Sequence, residues 1–174
     1  MVRCIAIGVT VVFLLPLSAH AATMSGVDHA AIDVLANQAS KTLNYLDAAE
    51  APISRALERT HTPADQHALM QEFVCYENLA QDALALVQFI NEVTTVSLID
   101  SMLRDNLDDA TTVGVLKIQM ERLKGILATR HTADTLPAVC LANPTIQNGA
   151  RQFLDVIDAT DRTLTPIAIR VGVR

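Results

Sequence analysis

Apolar residues recur every three or four positions along most of this chain. In the first run Ile32, Leu35, Ala39, Thr42, Leu46 and Ala49 advance by 3, 4, 3, 4 and 3. Leu69, Phe73, Tyr76, Ala80, Ala83, Val87 and Ile90 follow by 4, 3, 4, 3, 4 and 3. A third run, Val113, Leu116, Met120, Leu123 and Leu127, and a fourth, Ile146, Ala150, Phe153, Ile157, Thr160 and Leu164, keep the same rhythm. Each run puts one apolar stripe on one face of a helix. Four stripes with extra apolar flanks predict an all-α, up-and-down four-helix bundle with one or two short additional helices.

The breaks between the stripes have local causes. Ser25-Gly26 precedes the first helix, and Ala51-Pro52 is expected to end or kink it. Thr62-Pro63-Ala64-Asp65 has a capping hydroxyl, a proline at the first helical position and an acid three residues from the cap, so it starts the second helix. The β-branched run Thr94-Thr95-Val96 weakens that helix, leaving 98–107 as its continuation or a separate piece. Asp108-Asp109 caps the third and Asn143-Pro144 the fourth. After Pro166 the period changes. Ile167, Ile169, Val171 and Val173 alternate with Ala168, Arg170, Gly172 and Arg174, which is the pattern of a strand. Residues 22–166 are therefore expected to form the helical domain, and 167–174 a tail that is frayed or folded against the bundle or, as the sharper alternative, extended.

Composition agrees with helices. Aromatics are 3% of the 174 residues and Trp is absent, which leaves little to populate a pleated sheet. The first 21 residues read as a secretory signal peptide: Arg3, an apolar run from Cys4 to Leu17, then Ala19-His20-Ala21. The expected location is outside the cytoplasm, periplasmic in a bacterium and otherwise secreted. No membrane span is expected in the mature chain.

Export changes how the cysteines are read. Cys4 leaves with the leader, and Cys75 and Cys140 remain as one expected disulfide. It would close a loop of about 66 residues and stabilise the fold by about 4 kcal/mol in the chain-entropy model. Neither CxxC nor CxxCH occurs, so a redox pair or attached haem is not expected.

Charge and motifs narrow the function further. The net charge of −6, with basic residues dispersed, argues against nucleic-acid partners. No nucleophile elbow or phosphate loop appears, and Ser40, Ser54, Ser97 and Ser101 stand in ordinary helical contexts. Asp105, Asp108 and Asp109 read as a solvated turn. No catalytic residue and no cofactor is therefore assigned, and the balance leans against an enzyme.

Two binding ideas remain. In an up-and-down bundle the first and third connections share an end, so His61 and His67 would neighbour His131, with Asp65 and Asp134 nearby. That rim could hold zinc or copper, although the spacing does not meet the usual ligand rules and helix capping explains the same letters. Alternatively the tail, through Ile167, Ile169, Arg170, Val171 and Val173, could add as a strand to a partner's sheet. The expected function is binding of a protein partner without catalysis, as an inhibitor, immunity or chaperone-like protein. A metal- or small-ligand-binding bundle is the alternative. The heptad-spaced stripes also allow a homodimer.

Overall fold

A computed structural model describes residues 24–103 and 109–173; the leader expected over 1–21, Asp105 and Asp108 lie outside the described residues. Every regular element among them is a helix. Three helices are long: α1 (Gly26–Arg59), α2 (Pro63–Leu103) and α7 (Pro144–Arg170). Between α2 and α7 the chain runs through α3 (Asp109–Glu121), α4 (Leu123–Ala128), α5 (Arg130–Asp134) and α6 (Ala138–Leu141).

Helix α1 starts in a full capping box. Asp28 N–H donates to Ser25 Oγ at 3.2 Å, and Ser25 N–H donates to Asp28 Oδ2 at 2.8 Å. The six stripe positions of α1 are all buried, and Ile53 joins them. Of the two outcomes expected at Pro52, an end or a kink, the end does not occur. Pro52 removes one N–H to the carbonyl of Ala48, a residue on the exposed side, and burial of Ile53 holds the following turns to the core. Helix α2 starts at Thr62 as expected, with Asp65 N–H donating to Thr62 Oγ1 at 3.4 Å. It continues unbroken through the β-branched run. There Thr94 and Thr95 donate their hydroxyls to the Ile90 and Asn91 carbonyls at 2.8 and 2.9 Å, inside the helix.

The third stripe does not form one helix. Leu116, Met120 and Leu123 are buried as expected, but the chain tightens at two joints. Arg122 N–H donates to Gln119 O, and Thr129 N–H to Ile126 O, both at 3.1 Å and both spanning three residues. Arg122 and Thr129 keep helical dihedrals, so the segment runs on as α3, α4 and α5. His131 lies inside α5 and not after a helix.

Of the expectations for the tail, the segment folded against the bundle is the one found, and the strand is not. Residues 167–170 are the last turn of α7, not a strand. Ile167, Ala168 and Val171 are buried, while Ile169 is 68% exposed. Leu164, Ile167, Ala168 and Val171 also fit a helical period, and the bundle gives them a surface to cover. Pro166 removes one more N–H, opposite the exposed Arg162. The helix ends in a Schellman motif: Gly172 has φ +83°, Val173 N–H donates to Ala168 O at 2.9 Å, and Gly172 N–H donates to Ile169 O at 3.1 Å.

Side-chain ties set the directions. His29, early in α1, meets Ser97 and Asp100, late in α2. Arg170, at the end of α7, donates to Asp28 at the start of α1 at 2.7 Å. Helix α1 is thus antiparallel to both α2 and α7. At the opposite end Cys75 and Cys140 form the expected disulfide, with Cα atoms 6.2 Å apart. Asn143 caps α7 by accepting from Thr145 N–H at 2.9 Å, and donates to Glu72 of α2 at 2.9 Å.

Helices α1 and α7 approach closely at Gly149, where a β-carbon would lie 2.4 Å from Leu46 Cδ2. Leu46 is fully buried and has little room to yield. Gly149→Val should therefore destabilise the protein by about 2–3 kcal/mol. Gly125 has open space around it, so Gly125→Ala should instead stabilise by up to about 1 kcal/mol. Urea unfolding of both variants checks the pair, and equal effects would contradict the close approach.

Candidate functional site

Three chemically capable side chains converge where α1 begins and α2 ends. His29 stands in the first turn of α1. Ser97 and Asp100, three residues apart, share the inner face of α2. Ser97 is 4% and Asp100 3% exposed, and the His29 side chain 17%. His29 Nδ1 is hydrogen-bonded to Ser97 Oγ. Nε2 lies 3.6 Å from Asp100 Oδ2, just beyond hydrogen-bond range, and neither atom has another partner. With its proton on Nε2, facing the carboxylate, the neutral imidazole accepts from the serine hydroxyl through Nδ1. The buried acid also lies beside the positive end of α1.

An imidazole between a hydroxyl and a carboxylate is the residue set of an activated serine. The surroundings do not complete it. Ser97 sits mid-helix, where its N–H serves the helix ladder and offers no oxyanion hole. The adjoining recess of about 170 Å³ is lined by His29, Asp33, Thr94, Ser97, Leu98 and Ser101, with no Lys or Arg among these described residues. A developing oxyanion there would meet the carboxylates of Asp33 and Asp100. What this cluster can do is hold α1 to α2 through a buried polar link.

A second tie closes the same end. Burial of Asp28 works to raise its pKa, but the Ser25 backbone and hydroxyl and the Arg170 guanidinium outweigh it and hold it below the ordinary aspartate value. Elsewhere, Tyr76 lies buried between α1 and α2. Burial, followed by the charges of Glu50, Asp47 and Glu77, pushes its pKa up to about 12, so it remains a neutral phenol. The groove beside it, about 320 Å³, is acidic. A groove of about 440 Å³ between α1 and α7 is an open surface that includes Lys41, Asp155 and Arg162.

The histidines singled out in the sequence are exposed. His61 lies in the connection between α1 and α2, and His131 on α5. His67, in the first turns of α2, meets Gln71 at 3.1 Å and borders an apolar recess of about 270 Å³ formed with Met70, Val74 and Val139. Among the described residues no three His, Cys, Asp or Glu side chains come together as a metal site. Asp134 is instead bound to Arg130, which also pairs with Asp158 of α7. Of the tail residues, Ile167 and Val171 face the core, Val173 is half-buried, Arg170 is paired with Asp28, and Ile169 alone is well exposed.

No known protein family matches this chain, and no curated protein or solved structure does.

The His29 cluster was not legible in the sequence because its members are 68 and 71 residues apart. A buried-side polar pair, Ser97 and Asp100, on an otherwise apolar helix face was the available signal. His29→Leu should leave Asp100 buried without its partner and destabilise by about 3 kcal/mol or more. His29→Leu with Asp100→Leu should regain at least half of that loss in urea unfolding. A double variant as unstable as the sum of both single ones would contradict the pairing.

Asp28 also makes a pH prediction. A carboxylate whose pKa is lowered in the folded state stabilises fully above its unfolded value, and that stability is lost as pH falls through the folded value. The thermal midpoint should therefore fall more steeply below about pH 4 in the wild type than in Asp28→Asn. Parallel curves for the two proteins would exclude Asp28 as the source.

Proposed function

We propose that this is an exported, disulfide-stapled helical protein that binds a protein partner without catalysing a reaction. The reading rests on the outer side of α2. From Met70 to Met102 no exposed residue of this helix is charged. The acids of this stretch are less open: Glu72, Glu77, Asp82 and Glu92 are half-buried, Glu92 in an ion pair with Arg122, and Asp100 is buried. Met70, Val74, Leu84, Leu98, Ile99 and Met102 are all exposed. A solvated face usually mixes charges of both signs, whereas the centre of a protein interface is depleted in them. By length and hydropathy alone α2 could cross a membrane. Its inner face is the core of the protein, and this favours a protein surface over a lipid one.

The leader and the Cys75–Cys140 disulfide support export to an oxidising compartment. An up-and-down four-helix scaffold, with α3 to α6 in the place of the third helix, fits this function. It would present α2 as a rigid rod. The strand-addition mechanism is set aside, because the tail is the end of α7. A small apolar ligand in the recess beside His67 is the second reading, favoured by the Met70, Val74 and Val139 lining.

The immobilised mature chain should retain a protein from the exported fraction of its own cells. Leu98→Glu with Met102→Glu should reduce retention at least tenfold, since each buries a new charge in the interface. Retention indifferent to both substitutions, or none at all, overturns the reading. A native mass carrying one stoichiometric organic ligand would favour the recess instead.

A further inference from the structure

The uncharged face of α2 has an internal symmetry, and we infer that its partner is a second copy of this chain, packed antiparallel along α2. This inference rests on the partner-binding reading and names the partner.

The exposed positions follow a heptad rhythm. Met70 and Val74 are followed by Gln81, Leu84, Gln88 and Asn91, then by Thr95, Leu98 and Met102, in steps of 3 and 4 apart from one gap of seven. The missing position is 77. Glu77 there is half-buried toward the groove that also holds Tyr76 and Glu50, with exposed Asn78 beside it. Steps of 3 and 4 sustained along a helix make a seam that can lie against another helix.

A two-fold interface requires a surface that complements itself when reversed. Reversal about residue 86 does this for α2. Met70 meets Met102 of the second copy, and Val74 meets Leu98. Gln81 meets Asn91, an amide opposite an amide, and Leu84 meets the aliphatic part of Gln88. Glu77 meets Thr95, whose hydroxyl would exchange the Asn91 carbonyl of its own helix for that carboxylate. Apolar pairs fall at both ends, and hydrogen-bonding pairs lie inside them, where they fix the register. A parallel pairing about the same face would set Gln81 on Gln81 and Leu98 on Leu98, and would use no such symmetry.

Charge selects the same face. The chain carries a net charge of −6, so two copies repel each other across most of their surfaces. The α2 seam lets them meet without placing an exposed acid against another. Its length from Met70 to Met102 is about 48 Å at the helical rise. A helix face about 10 Å wide over that length buries about 1,000 Å² from both copies together, the lower end of a specific interface. A reversible dimer of micromolar affinity is the expected consequence.

Sedimentation of the mature chain over a dilution series tests this. At about 50 µM, above a micromolar dissociation constant, it should have twice the chain mass, and it should dissociate on dilution. Leu84→Lys and Gln88→Glu each place a charge beside the two-fold axis and should each weaken the dimer at least tenfold. Combining the two substitutions sets the new cation of each copy against the new anion of the other, and association should return to within about threefold of wild type. Both positions are exposed, so circular dichroism should show an intact monomer fold in every variant. A chain that stays monomeric at every concentration overturns the inference, as does a dimer insensitive to the single substitutions. A monomer that instead sediments with phospholipid vesicles overturns it in favour of a lipid surface. A monomer that still retains a different protein through Leu98 and Met102 overturns self-association alone and leaves partner binding standing.

Discussion

A helix of 41 residues that is apolar around most of its circumference cannot stand alone in water. Helix α2 is such a helix, and the rest of the molecule is arranged to cover one side of it. Leu79, Leu86, Phe89, Ile90 and Val93 are fully or almost fully buried along its inner face. Helix α1 supplies most of the cover through a strongly amphipathic stripe of its own, and α7 packs chiefly against α1. Short helices α3 to α6 complete it, and Leu116, Met120 and Leu123 point into the same core. A continuous core of this kind stabilises the fold in proportion to its apolar area, and no single contact dominates it.

Apolar burial does not choose a register, because helices can slide along a greasy seam. Specific ties at the two ends do. At one end the Cys75–Cys140 disulfide and the Asn143–Glu72 hydrogen bond join α2 to the start of α7. Asn143 is both the cap of α7 and a bond to its neighbour, so the helix begins where it is anchored. At the other end His29 meets Ser97 and Asp100, and Arg170 meets the carboxylate that also caps α1. Buried polar links of this kind add little net stability, since desolvation offsets most of the attraction. A shifted register would leave the same groups unpaired, and that disfavours the alternatives.

The outer side of α2 is the part of the surface that folding does not explain. Covering the helix fully would have required another element of this chain. Its exposed positions hold methionine, leucine, valine, asparagine and glutamine where a solvated helix would carry lysine and glutamate. That composition is closer to the centre of an interface than to a solvated face, and its order along the helix suits a reversed copy of itself.

The sequence by itself determined the helices and most of their caps. The stripes in α1, α2 and α7 were legible because a helix repeats every 3.6 residues and burial follows that repeat. Ser25, Thr62 and Asn143 were legible because capping is a local bond. The disulfide was legible from the expected compartment and from only two of the three cysteines lying beyond the expected leader. The tertiary structure decided what depends on neighbours. Residues 167–171 satisfy both a strand and a helix period, and only the core waiting beside α7 selected the helix. Gly172 was the overlooked local signal for its end. Pro52 failed to stop α1 because Ile53 is buried beyond it, and the third stripe broke at joints that no residue type announces. The His29, Ser97 and Asp100 cluster, with 68 and 71 residues between its parts, exists only because α1 and α2 run antiparallel. Local pattern specifies bonds within a few residues; which distant side chains meet is settled by packing.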